Sequence, residues 1–204
     1  MSPGSRNLPY GTWPSPISPS DVVRGDAARE WPGHFGNGIC WVEACATEDG
    51  RAALMWSGQD GEPLPGWHVK SRAIEYGGRP WARVSGAAAD GLILVNGGDQ
   101  RVYHWKPGAE PLPLTPVAAA GSEYRFCDFE VHAGRVWSLR ETVSDPRGRD
   151  VKRHIVTFPL DGTAADQPEA VVERADSHHF MSGPKLSPDG GQVAWIGWDH
   201  PDMP

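Results

Sequence analysis

The sequence predicts an all-β fold: a partial β-propeller of about three and a half four-stranded antiparallel blades. Three observations carry this expectation. Gly and Pro are abundant, at 25 and 20 of 204 residues, yet ten Trp exclude a disordered chain, and collagen's triplet period is absent. Short Val, Ile and Leu clusters are punctuated by Asp49-Gly50, Asp60-Gly61, Asp90-Gly91, Asp161-Gly162 and Asp189-Gly190, pairs that supply the positive φ of tight turns. The strand–turn–strand unit recurs about every 50 residues, the period of a propeller blade and one for which a β-sandwich has no cause.

Residues 1–29 form a Pro- and Ser-rich extended lead-in with one short helix. That helix is predicted over Ser20–Arg29, with Ser20 as cap and Asp21 in the first turn. The propeller is expected over 30–204, with blades near 30–79, 80–126 and 127–181 and a partial blade over 182–204. In the first blade, Ile39–Val42 precedes Ala53–Trp56; in the second, Trp81–Ser85 precedes Leu92–Val95. Third strands follow at Arg101–Trp105 and His154–Phe158, and short fourth strands at Pro111–Leu114 and Ala170–Glu173. The segment Asp128–Leu139 resembles Lys185–Ile196, with Phe129 falling on Leu186 and Val136 on Val193 at one constant offset. Such a set cannot close into the usual ring. The chain therefore reads as a fragment of a longer propeller, and open blade edges predict self-association.

The net charge is −7, and the basic residues are scattered, so no nucleic-acid footprint is present. The N-terminus lacks the apolar core of a signal peptide, and no run approaches the roughly 20 apolar residues of a membrane span. Neither nucleic acid nor membrane is expected as a partner. Cys40, Cys45 and Cys127 have no metal-like spacing and read as reduced thiols in the cytoplasm.

The search for chemistry is largely negative. No Ser has Gly two residues before it, so the G-x-S-x-G elbow of an α/β-hydrolase is absent, as is the strand–helix alternation of that fold. Asp199-His200 are adjacent and point apart if on a strand, so they read as a turn before Pro201 rather than a dyad. His178-His179 read as a solvated loop, with no third metal ligand suggested by spacing. No cofactor motif occurs, and no catalytic residue, cofactor or metal is expected. One segment is unusual: Ser71-Arg-Ala-Ile-Glu-Tyr-Gly-Gly78. Arg72, Glu75 and Tyr76 are the expected substrate-contacting residues at a propeller mouth. The plainer reading is a blade junction in which Arg72 pairs with Glu75 and the glycines turn the chain.

These residues carry a family resemblance. Tyr10-Gly-Thr-Trp-Pro-Ser-Pro-Ile17, Arg72-Ala-Ile-Glu-Tyr-Gly-Gly78, Asp99-Gln-Arg-Val-Tyr103, Leu186-Ser-Pro-Asp-Gly190 and Trp198-Asp-His-Pro-Asp-Met-Pro204 resemble the N-terminal half of the prolyl oligopeptidase family, in its dipeptidyl aminopeptidase and acylaminoacyl-peptidase branch. The Leu-Ser-Pro-Asp-Gly run is common to many propellers; the junction and the final segment are more specific. The resemblance implies a propeller that covers an α/β-hydrolase domain and filters short peptides by size. It implies that this chain is the non-catalytic gating portion of a serine peptidase, meeting its peptide through a hydrolase domain that these residues do not contain. A free-standing propeller-type binding module and an inactive remnant are the alternatives.

Overall fold

The computed structural model describes residues 9–12, 14–18, 27–84, 90–145, 147–148 and 150–202. Four antiparallel sheets follow one another along the chain, each a meander in sequence order. The first holds β1 (Arg29–Phe35), β2 (Gly38–Cys45) and β3 (Arg51–Trp56). The second holds β4 (Trp81–Val84), β5 (Gly91–Val95), β6 (Val102–Trp105) and β7 (Leu112–Pro113). The third holds β8 (Glu123–His132), β9 (Arg135–Val143), β10 (Val151–Pro159) and β11 (Val172–Ala175), and the last is the hairpin of β12 (Phe180–Leu186) and β13 (Val193–Trp198). None of the sheets is closed. This is the partial propeller that the sequence predicts, except that the first sheet has three strands.

The packing follows from the two-residue period of a strand. Every residue of β5, Gly-Leu-Ile-Leu-Val, is buried. Leu92 and Leu94 enter the seam with the first sheet, against Phe35, Val42, Leu54 and Trp105. Ile93 and Val95 enter the seam with the third sheet, against Phe126, Phe129, Val136, Val156 and Phe158. On the far face of that third sheet, Cys127, Leu139 and Ile155 meet Met181 of β12. Each middle sheet is thus buried on both faces, which explains why β5 reads as an unbroken apolar run. Full burial of each such side chain contributes about 1.5–3 kcal/mol.

The first strand of each sheet lies innermost. β8 touches β4 on one side and β12 on the other. Three of these strands carry a bulge with a left-handed residue: Trp31 (φ 56°), Asp128 (φ 57°) and Gly183 (φ 63°). A bulge bends its strand and increases the local twist. In β1 it falls within Trp31-Pro-Gly33, which hides that strand from a pattern search.

Pairing also revises the repeat. Glu130 pairs with Trp137 and Val131 with Val136, as Lys185 pairs with Ala194 and Leu186 with Val193. Val131, not Phe129, is therefore the counterpart of Leu186. The offset is not constant, because the β8–β9 turn is Ala133-Gly134 alone, both with positive φ, while the β12–β13 turn spans residues 187–192. Among the Asp-Gly pairs, Gly50, Gly61, Gly162 and Gly190 take positive φ, but Gly91 does not. Gly91 begins β5, where a Cβ would sit 2.5 Å from the Trp105 carbonyl oxygen. A single helical turn, α1 (Thr163–Asp166), follows Asp161-Gly162 and buries Ala164. Most of the helix expected over Ser20–Arg29 lies outside the described residues; Arg29 itself opens β1.

Candidate functional site

The connection from β3 to β4 ends in Ser71–Gly78, and buried anchors hold this segment in place. Ser71 and Ala73 are buried. The buried Gln100 accepts the Arg72 backbone N–H at 2.8 Å and donates to the carbonyls of Lys70 and Gly97, each at 3.1 Å. Ile74 and Glu75 both sit at positive φ, 55° and 63°, an arrangement that persists only where surrounding contacts over-determine it. The glycines that follow are steric requirements. A Cβ at Gly77 would meet the Ser71 carbonyl oxygen at 2.8 Å, and one at Gly78 would meet the Cys127 Sγ at 2.5 Å.

This loop reaches over to the third sheet through charge. Arg125 of β8 donates to Glu75 at 2.6 Å, Glu123 at 3.1 Å and Glu141 at 3.2 Å. Arg72 pairs with Glu123. Glu141, only 1% exposed, also receives Arg153 at 2.6 Å and the Ile74 backbone N–H at 3.2 Å. Arg153 in turn donates to the His179 carbonyl at 2.8 Å, just before β12. Three arginines and three glutamates thus join the loop, the third sheet and the last hairpin. Burial alone would raise the Glu123 carboxyl, but hydrogen bonds from Arg72 and Arg125 outweigh it and hold it below the usual carboxylate range. Burial likewise opposes the charge of Arg125, and Glu75 and Glu123 overcome it.

The structure brings Arg72, Glu75 and Tyr76 together on one anchored loop, but the expected Arg72–Glu75 pair is replaced by Arg72–Glu123 and Arg125–Glu75. Tyr76 projects outward, 81% exposed. Glu123, Arg125, Glu141 and Arg153 escaped the sequence reading. Their partners lie up to 67 residues away, and the available signal was charge on strands that otherwise read as core.

The described residues assemble no hydrolytic triad. Ser177 Oγ lies 2.8 Å from His178 Nδ1, but the Asp199 carboxylate binds the neighbouring ring, His179 Nδ1, at 2.9 Å. A triad needs one imidazole between serine and carboxylate, and here two imidazoles divide those roles. Asp199 and His200 do not pair. Asp199 starts a turn closed by the Asp202 N–H, and the His200 ring rests against Phe180. Cys45, Glu48 and Glu62 converge as a metal site would, yet Arg51 fills their centre, at 2.8 Å from Glu48 and 2.6 Å from Glu62. Cys40, Cys45 and Cys127 are free thiols.

No family model matches the chain, and no curated protein matches it. Solved structures do. Puromycin hydrolase, in a serine-to-alanine variant complexed with PGG, aligns at 40% identity and a TM-score of 0.84 over 96% of this chain. A second puromycin hydrolase structure gives 39% identity and a TM-score of 0.84 over 98% of this chain. A puromycin-hydrolyzing peptidase of Mycobacterium tuberculosis gives 34% identity and 0.83 over 98%. The chain is similar to the propeller part of a peptidase. It spans 32% of the length of each of these three proteins.

Proposed function

We propose that this chain is the substrate-gating, non-catalytic propeller portion of a serine peptidase of the dipeptidyl aminopeptidase or acylaminoacyl-peptidase type. The observation that carries the reading is the 40% identity and 0.84 TM-score with one third of puromycin hydrolase, over nearly all of this chain. The split Ser–His and His–Asp contacts support a non-catalytic role. In this reading a hydrolase domain supplies the acyl-transfer chemistry, and the propeller excludes large substrates and orients short ones. Arg72, Glu75 and Tyr76 face the substrate or the catalytic domain, with Tyr76 the most available and the ion pairs of Arg72 and Glu75 fixing its loop. Among the described residues no helix is long and apolar enough to cross a membrane, and the three free thiols support a cytoplasmic setting.

The test is a chimaera in which these 204 residues replace the matching third of puromycin hydrolase. The expected chimaera is folded, hydrolyses puromycin and aminoacyl p-nitroanilides, and rejects peptides above a size limit. A folded, active chimaera that cleaves long and short peptides alike would refute gating. The isolated chain should turn over neither substrate; turnover that co-purifies with it through successive columns would overturn the non-catalytic assignment.

A further inference from the structure

The four innermost strands, β1, β4, β8 and β12, border a cavity of about 420 Å³. Its charges do not balance. Arg79, Arg83 and Lys185 line it against Asp128 and Glu130. Lys185 pairs with Glu130. Asp128 is spent on the fold: it accepts the Arg79 backbone N–H at 3.0 Å, the Ser182 hydroxyl at 2.9 Å and the Gly183 N–H at 3.2 Å. Among the described residues, neither Arg79 nor Arg83 has a carboxylate within ion-pair distance.

Arg79 is nonetheless held in one pose. Its backbone is clamped from both sides, because the Asp128 N–H also donates to the Arg79 carbonyl at 3.1 Å. Its guanidinium lies over the buried Trp81 ring, 4.9 Å from the centroid. That ring is fixed in turn by its own N–H on the Trp31 carbonyl at 3.0 Å. Gly33 makes the room: a Cβ there would stand 2.7 Å from the Trp81 ring and 2.9 Å from an Arg79 terminal nitrogen. Among the described residues the buried Arg79 Nε has no partner, and the fork makes one long hydrogen bond, 3.5 Å, to the Pro32 carbonyl. A guanidinium held over a ring, short of acceptors and lining a cavity is a pre-set fork for a two-oxygen anion.

We propose that this cavity is a carboxylate site, in which Arg79, seconded by Arg83, takes the C-terminal carboxylate of a short peptide. A single negative charge neutralises the excess of three cations over two anions lining the cavity, whereas a doubly charged phosphate overshoots it. The volume exceeds that of a carboxylate alone, and Ala82, Phe129, Val131 and Pro184 offer apolar wall for an adjoining residue. The peptide assignment rests on the gating reading above; the anion preference rests on the cavity.

The experiment is calorimetric titration of the full chain with triglycine, triglycine amide and inorganic phosphate, repeated on Arg79→Met, Arg83→Met and the distant control Arg29→Ala, each checked for folding by circular dichroism. Triglycine should bind, its amide about tenfold more weakly, and each Met variant should lose about tenfold for the acid alone. The control should match the parent chain. Acid and amide bound alike, no binding of either, phosphate bound as tightly as triglycine, or a folded Arg79→Met that binds like the parent would each overturn the proposal. Equal binding of acid and amide would leave gating intact. A chimaera without a size limit would remove gating without touching the acid–amide difference.

Discussion

The third sheet is held in two different ways. Against the second sheet it presents Phe126, Val136, Val156 and Phe158 to Val84, Ile93 and Val95, an apolar seam. Against the Ser71–Gly78 loop it adds to the apolar packing of Ala73 and Ile74 a set of ion pairs, Arg125–Glu75 and Glu123–Arg72, backed within the sheet by Glu141 and Arg153. The apolar seam needs only volume and burial, so many sequences could satisfy it. The ionic contact needs every member present, since a buried charge stripped of its partner is more costly than none at all. The first holds blades together; the second fixes one loop at one place.

The largest effects should come from both regions, with opposite rescue behaviour. Phe158→Ala should lower unfolding free energy by about 3–5 kcal/mol in urea titration, with little dependence on salt. Glu141→Ala should lose a similar amount, about 3–5 kcal/mol, by leaving Arg125 and Arg153 facing each other in a buried site. Replacing Arg125, Glu141 and Arg153 together with Met should recover most of that loss. A triple variant as unstable as Glu141→Ala would erase the distinction between the two contacts.

The two regions were unequally legible beforehand. The Leu92–Val95 run announces a strand buried on both faces, and the recurring turns announce blades. The β1 strand was not legible as a strand, because Trp31-Pro-Gly33 interrupts its pattern with a bulge. In the site, Arg72, Glu75 and Tyr76 stood out through the odd composition of their loop. Glu141 did not, because nothing local marks an acid on a strand as one end of a contact with residue 74. Partner choice depended on the third sheet lying under the loop, a fact of tertiary structure. Arg79 was missed for a related reason: its importance lies in the carboxylate it lacks.

Smaller effects sharpen the picture. Gly78→Ala should cost about 1–3 kcal/mol by pressing on Cys127, and the same fold should show faster proteolysis within Ser71–Gly78. A third probe lies beside the first sheet, where His68 Nδ1 accepts the Ala52 N–H of β3 at 2.9 Å. Burial, then the charge of Lys70, pushes the His68 pKa below its ordinary 6.5. In the window between that lowered value and 6.5 the unfolded chain binds more protons than the folded one. The His68 contribution is therefore complete above pH 6.5 and falls as pH drops through the window, by less than about 1.4 kcal/mol per pH unit. His68→Gln should flatten that slope in urea titrations at pH 5–7. Least of all, Arg29→Ala, which breaks the exposed pair with Glu43, should change stability by about 0–1 kcal/mol and less in high salt.

The alternating allegiance of β5 has a consequence for how this chain can change in length. Inserting one residue within the strand would send Leu92 and Leu94 where Ile93 and Val95 now lie, exchanging the contents of two cores in a single step. Insertions and deletions are thereby confined to the turns, where the six-residue span 187–192 already stands in the place of Ala133-Gly134. Strand lengths form the fixed ruler of the molecule, and its loops are the places where new lengths can be tried.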